Sequence, residues 1–134
     1  MKKYSIEMEV RDNELDAQGI VNNANYMIYL AHARHKHGEE LGINHTEFAN
    51  QGLNLVLTSC TIKFRQSLQA NDKFLVSSEI INGELPFHWA HRQEIKRISD
   101  NKVILKAMFN VTCVNKNTDD EQKLHIPELI SELM

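Results

Sequence analysis

Cysteine, net positive charge and long apolar runs are all scarce in this chain, and each scarcity excludes something. The two cysteines, Cys60 and Cys113, lie far apart, outside any CxxC spacing and within strand-like apolar stretches. Buried reduced thiols are therefore expected rather than a disulfide or a metal pair. A formal net charge of -3 over 134 residues offers no basic footprint for nucleic acid. No apolar run approaches the length of a membrane span. The opening MKKYSIEMEVRD alternates polar and apolar residues instead of running apolar as a signal peptide does, which makes the cytoplasm the default expectation. A Gly-rich phosphate loop, a GxSxG elbow, a Ser-His-Asp order and HExxH are all missing, so neither a serine hydrolase nor a metal site is expected. With no repeat, low-complexity tract or linker, residues 1–134 read as one domain, long enough to bury a core.

What is present is a change of period. Tyr4, Ile6, Met8 and Val10 alternate with polar residues, the pattern of a half-buried strand over 4–10. Met27, Leu30, Ala31, Arg34, Gly38 and Leu41 then fall at helical spacing, predicting one long helix over 24–42 with Gly42 as its stop. HTEFANQG adds a helical turn. Four β-like segments follow, at 53–65, 73–81, 87–98 and 103–114, and IPELISELM closes as a short helix with Pro127 at or near its start. The expectation is an α+β domain in which the helix covers one face of a five-stranded antiparallel meander. Aliphatic residues along 53–64 are core by default. Arg34 and Gly38 interrupt the helix's apolar line, so the helix is expected to meet something besides its own sheet; a homodimer is the commonest such assembly.

The order of residues at the strand-to-helix junction is more specific. DAQGIVNNANYMIYLAHAR, with Asp16, Gly19, Ile20, Val21, Asn22, Asn23, Asn25, Tyr26, Ala33 and Arg34, is followed by EELG, by Phe64 and Asp72 in TIKFRQSLQANDKF, and by HIPELISEL. This order, spanning nearly the whole chain, resembles the 4-hydroxybenzoyl-CoA thioesterase family of hotdog-fold proteins. The resemblance implies a five-stranded antiparallel sheet wrapped around one central helix, a homodimer or homotetramer with sites at the subunit interface, and hydrolysis of an acyl-CoA thioester. No cofactor is implied beyond the coenzyme A of the substrate. In the family the acid matching Asp16 attacks the thioester or activates water, and the backbone amide matching Asn23 polarises the carbonyl.

Elementary chemistry fits those roles. A helix N-terminus offers unpaired N–H groups and a partial positive charge, and Gly19 permits a tight loop that returns the chain toward them. Asp16 is read as the acid of the junction loop near the helix start, although an Asp in a loop also commonly makes Asx turns. Gly19, Val21, Asn22 and Tyr26 are taken as substrate-binding positions; Asn25 is read as a helix cap and Tyr26 doubles as an ordinary packed aromatic. Lys63 and Arg65, on one strand face, are candidates for coenzyme A phosphates. His32, His35 and His37 read as a solvated helix face, and of His88 and His91 only one can face a ligand on a regular strand. Because Asn22 and Asn23 stand where the family often has an aromatic or His, two alternatives are carried: a non-catalytic acyl-CoA or acyl-carrier binding hotdog module, and a structural or partner-binding subunit.

Overall fold

The computed structural model describes residues 2–116 and 123–134. Strand β1 (Lys3–Glu9) leads through a single 3-10 turn (Asp12–Glu14) into α1 (Asn23–Glu40) and the short α2 (His45–Asn50). Strands β2 (Leu53–Phe64), β3 (Lys73–Asn82), β4 (His88–Arg97), β5 (Val103–Asn115) and the short β6 (Lys123–His125) follow, then α3 (Glu128–Ser131). All pairings are antiparallel. Five long strands and one long helix are as expected; β6, beside the end of β5, is an addition.

The strand order β1-β3-β4-β5-β2 corrects the expected meander. Along this order only β3, β4 and β5 are sequential neighbours, and β2 lies at the far edge beside β5. The connection after β2 explains this, because it is a crossover and not a tight hairpin. It passes the start of α1, where Val21 N–H donates to the Leu68 carbonyl (2.9 Å) and Leu68 N–H donates to the Tyr26 hydroxyl (3.0 Å). Leu68 is fully buried there.

The helix buries Tyr26, Tyr29, Leu30, Ala33, His37 and Gly38, the i, i+3, i+4, i+7 stripe of an amphipathic helix. This stripe is offset by one position from the predicted line, leaving Met27, Ile28 and Ala31 facing outward. The two tyrosines can go inside because each hydroxyl finds a partner, Leu68 N–H for Tyr26 and the Glu14 carboxylate for Tyr29 (2.7 Å). Gly42 ends the helix at φ +86°, where Ile43 N–H reaches Gly38 (2.8 Å) and Gly42 N–H reaches Glu39 (3.0 Å), the paired bonds of a Schellman stop.

The core is in two parts. One joins α1 to Phe74, Val76, Ile95, Leu105 and Phe109 on the sheet. The other gathers Ile43, Ile80, Trp89, Val111, Cys113 and Ile130 under α2 and α3. Strand β2 departs from its expected burial: Val56, Leu57 and Phe64 are 39%, 42% and 52% exposed, and Cys60 is exposed while Cys113 is buried. One edge of β2 pairs with β5, and among the described residues nothing pairs with the other. No described helix is long and apolar enough to cross a membrane.

Candidate active site

The junction folds as a miniature hairpin. Leu15 and Val21 form an antiparallel bridge, Asp16 N–H donates to the Ile20 carbonyl (2.8 Å), and Gly19 N–H donates to the Asp16 carbonyl (3.0 Å). Gly19 sits at φ +79°, a conformation that L side chains rarely adopt. Asp16 is half-buried, and its Oδ1 accepts from Gln18 N–H (2.8 Å), which is an Asx turn. Its Oδ2 has no hydrogen-bond donor among the described residues. The carboxylate is thus oriented by the loop through one oxygen and presents the other.

The return strand of this hairpin runs directly into α1. Asn22 is the cap: its backbone is extended (φ -63°, ψ 138°) and its side chain accepts from Ala24 N–H. Asn25 N–H is taken by the Asn22 carbonyl (2.9 Å). The Asn23 amide has no acceptor among the described residues, and the residue is exposed. A helix start with its second and third amides satisfied and its first left open offers one aimed donor carrying the helix's partial positive charge.

This corrects the reading of Asn25, which is not the cap. It lies in the first turn, and its side-chain amide donates to the Glu14 carbonyl (2.9 Å). Glu14 is the residue missed in the sequence, for a second acid does stand beside the helix start. Its Oε1 accepts from Arg11 N–H (2.8 Å) and from the Tyr29 hydroxyl. Burial and the neighbouring Glu14 carboxylate push the Tyr29 phenol up, so it stays a donor. Glu14 therefore clamps the junction to the helix. The spacing of Glu14 and Tyr29, fifteen residues apart, gave no signal in either periodicity.

The remaining positions are dispersed. Val21 is buried in the core, and Tyr26 is buried with its hydroxyl held by Leu68 N–H, the packed-aromatic arrangement. Lys63 and Arg65 line a groove of about 810 Å³ on the sheet face away from α1, and no contact joins them to the Asp16 hairpin. The histidine reading holds for His32 and His35, which are exposed, and fails for His37. That ring is fully buried, stacked on Tyr4 at 5.6 Å and within 3.3 Å of the Ser78 hydroxyl. His88 and His91 are both buried; His91 lines a cavity beside α1, and His88 is held to the Pro86 carbonyl. Among the described residues no group of three His, Cys, Asp or Glu could hold a metal.

The family model of the thioesterase-like superfamily matches residues 10–133. The chain belongs to this superfamily. Two curated relatives from Arabidopsis thaliana, the chloroplastic acyl-acyl carrier protein thioesterases ATL3 and ATL2, are 44% and 42% identical over 77 residues. The match covers 58% of this chain and about two fifths of theirs, 40% and 41%. Among solved structures, a 1,4-dihydroxy-2-naphthoyl-CoA thioesterase from Synechocystis superposes with a TM-score of 0.85 at 15% identity, covering 98% of this chain and 94% of that one. An aspartate-to-asparagine mutant of 4-hydroxybenzoyl CoA thioesterase, complexed with 4-hydroxybenzoyl CoA, superposes at 0.84 with 14% identity over 99% of both chains. At such identities the superfamily's structures establish the fold, the hotdog that the sequence resemblance implied.

Proposed function

We propose that this protein hydrolyses an acyl thioester, of coenzyme A or of an acyl-carrier protein, to the free acid and the thiol. The observation that carries the proposal is the junction itself: a carboxylate oriented through one oxygen with the other open, on a hairpin that ends at a helix whose first amide is open. Thioester hydrolysis needs those two groups, an attacking or water-activating carboxylate and a donor for the oxygen that becomes negative. In this reading Asp16 acts as nucleophile or general base, and the Asn23 N–H stabilises the oxyanion. Water supplies the hydroxyl of the acid, and its second proton leaves on the thiol.

The site is proposed to be completed in a homodimer. The open edge of β2 carries exposed Val56, Leu57 and Phe64, and α1 exposes Met27 (37%) and Ile28 (60%), apolar surface of the kind an obligate interface covers. Lys63 and Arg65 make no ion pair among the described residues, so they are the cations of the outer groove available to a coenzyme A phosphate.

One observation favours the non-catalytic module: the Asp16 to Gln18 bond is what a purely turn-forming Asp makes. The discriminating experiment is thiol release from matched acyl groups presented on coenzyme A and on carrier protein. Turnover on either supports hydrolysis; a thermal shift with acyl-CoA but no thiol release at any acyl length would replace it with binding alone.

A further inference from the structure

A second polar site lies away from the Asp16 hairpin. Between α1, β2, β4 and α3 is a cavity of about 230 Å³, room for roughly seven groups at the ~30 Å³ a water occupies. Its walls include Leu41, Ile43, Ile80, Val111 and Ile130, and no Asp or Glu lines it. Arg34 is its one Lys or Arg. The guanidinium lies 4.0 Å over the Phe109 ring and donates one Nη1 bond to the neutral Gln93 side chain (3.0 Å). Gln93 is itself fixed by donating to the Leu30 carbonyl (3.1 Å). Nε and Nη2 of Arg34 have no acceptor among the described residues, and no carboxylate there pairs with it. Trp89, 1% exposed and also lining the cavity, has a buried indole N–H without a partner among the described residues. His91 is held neutral, its pKa pushed down to about 3 by burial and by the nearby Arg34 and His37.

The cavity walls are apolar apart from the imidazoles of His35, His45 and His91, and the one permanent charge among them, Arg34, keeps unmatched donors with no carboxylate partner, so the cavity lacks an anion. We infer that this cavity binds an apolar chain ending in a carboxylate, with Arg34 receiving the carboxylate and the aliphatic residues receiving the chain. Two sources share that chemistry: a free fatty acid, which the proposed hydrolysis itself releases, and an acyl thioester whose far end carries a carboxylate. Arg34 lies eleven residues along α1 from Asn23, ~16 Å at 1.5 Å per residue, a span that an extended acyl chain covers. The choice of source rests on the hydrolase reading; the binding does not.

Trp89 is the sole tryptophan, so its fluorescence reports occupancy without turnover. Octanoate should change it saturably in the full-length protein, and octanol of equal chain length should bind about ten- to a hundredfold more weakly, the loss of a charge-assisted pair. Arg34→Leu should weaken octanoate by a similar factor and leave octanol unchanged, while Arg34→Lys should recover part of the loss. A non-hydrolysable coenzyme A thioether whose ω-carboxylated chain is long enough to span that ~16 Å separates the sources. If it binds more tightly than its methyl-ended counterpart, the site reads a substrate's tail; if the two bind alike while octanoate binds, it reads free acid. Equal affinity for octanoate and octanol in the wild type, or no saturable fluorescence change with any carboxylate, overturns the inference, and needs no variant to fold. Thiol-release activity can survive that result, so failure here is distinguishable from failure of the hydrolase proposal.

Discussion

Replacing Asn23 by proline and by alanine separates the backbone donor from the side chain at the centre of the proposed site. The structure makes the proline variant unusually permissible. Asn23 is the first residue of α1, where the amide has no intrahelical acceptor and where proline's fixed φ suits the helix. The preceding Asn22 is already extended at φ -63° and ψ 138°, the region that a residue before proline prefers. The side chain of Asn23 makes no hydrogen bond among the described residues and is exposed, so either substitution should change stability by less than about 0.5 kcal/mol. Catalysis should respond very differently. Asn23→Ala keeps the N–H and should retain most of the rate, whereas Asn23→Pro deletes the donor and should cost roughly 10²- to 10³-fold in kcat, about 2.7–4 kcal/mol of transition-state stabilisation. The assay is steady-state thiol release on the best acyl thioester, preceded by circular dichroism and a melting curve to show both variants folded. If the alanine variant is as impaired as the proline variant, the side chain carries the function and the oxyanion assignment is refuted.

Three further outcomes follow from particular contacts. Tyr26→Phe removes the hydroxyl that accepts the buried Leu68 N–H, which should destabilise by ~1–3 kcal/mol, or about 4–10 °C in Tm for a chain of this size; an unchanged Tm would show that the crossover is held otherwise. Ile28→Glu, at an exposed helix position, should leave the fold intact but shift the protein to monomer by light scattering if this apolar surface is an interface; an unaltered mass would count against that interface. His91 has a folded-state pKa near 3, below its unfolded value of about 6.5, so the unfolded chain binds the extra proton between those limits. Its contribution to stability is therefore present above pH 6.5 and is lost by up to ~1.4 kcal/mol per pH unit as the pH falls toward 3. His91→Gln should flatten that acid limb of Tm against pH, and an identical limb in the variant would contradict a neutral buried His91.

The sequence showed most of what local periodicity encodes and little of what depends on distant partners. The long strands and α1 were legible because period-2 and period-3.6 patterns are properties of short windows, and Gly42 marked the helix end because only the left-handed region closes that turn. The order of strands was not legible, since antiparallel pairing rules constrain neighbours joined by hairpins and β2 reaches β3 by a crossover. Periodicity also could not distinguish an apolar strand buried by its own chain from one left open at an edge, and so Val56, Leu57 and Cys60 were expected inside. At the site, Asp16 and Gly19 stood out by their order in a family-like signature. Glu14 did not, because its role is made by Arg11, Asn25 and Tyr29 converging from separate segments. His37 was misread for the same reason: Tyr4 and Ser78 are brought to it by the fold. The cap falls at Asn22 rather than Asn25 because three asparagines stand within four positions at the helix start, each a good N-cap by residue type, and only the fold selects the one whose side chain meets Ala24 N–H.

The central claim is that the open oxygen of Asp16 does the chemistry, and Asp16→Asn tests it most directly. Asparagine keeps the Oδ1 acceptor for Gln18 N–H and the shape of the loop while removing the carboxylate. Single-turnover thiol release should fall by at least the 10²-fold expected for loss of a general base, with acyl-CoA binding, measured by thermal shift, within about twofold of wild type. Undiminished single-turnover release in a folded Asp16→Asn protein would make Asp16 a turn residue and contradict the mechanism.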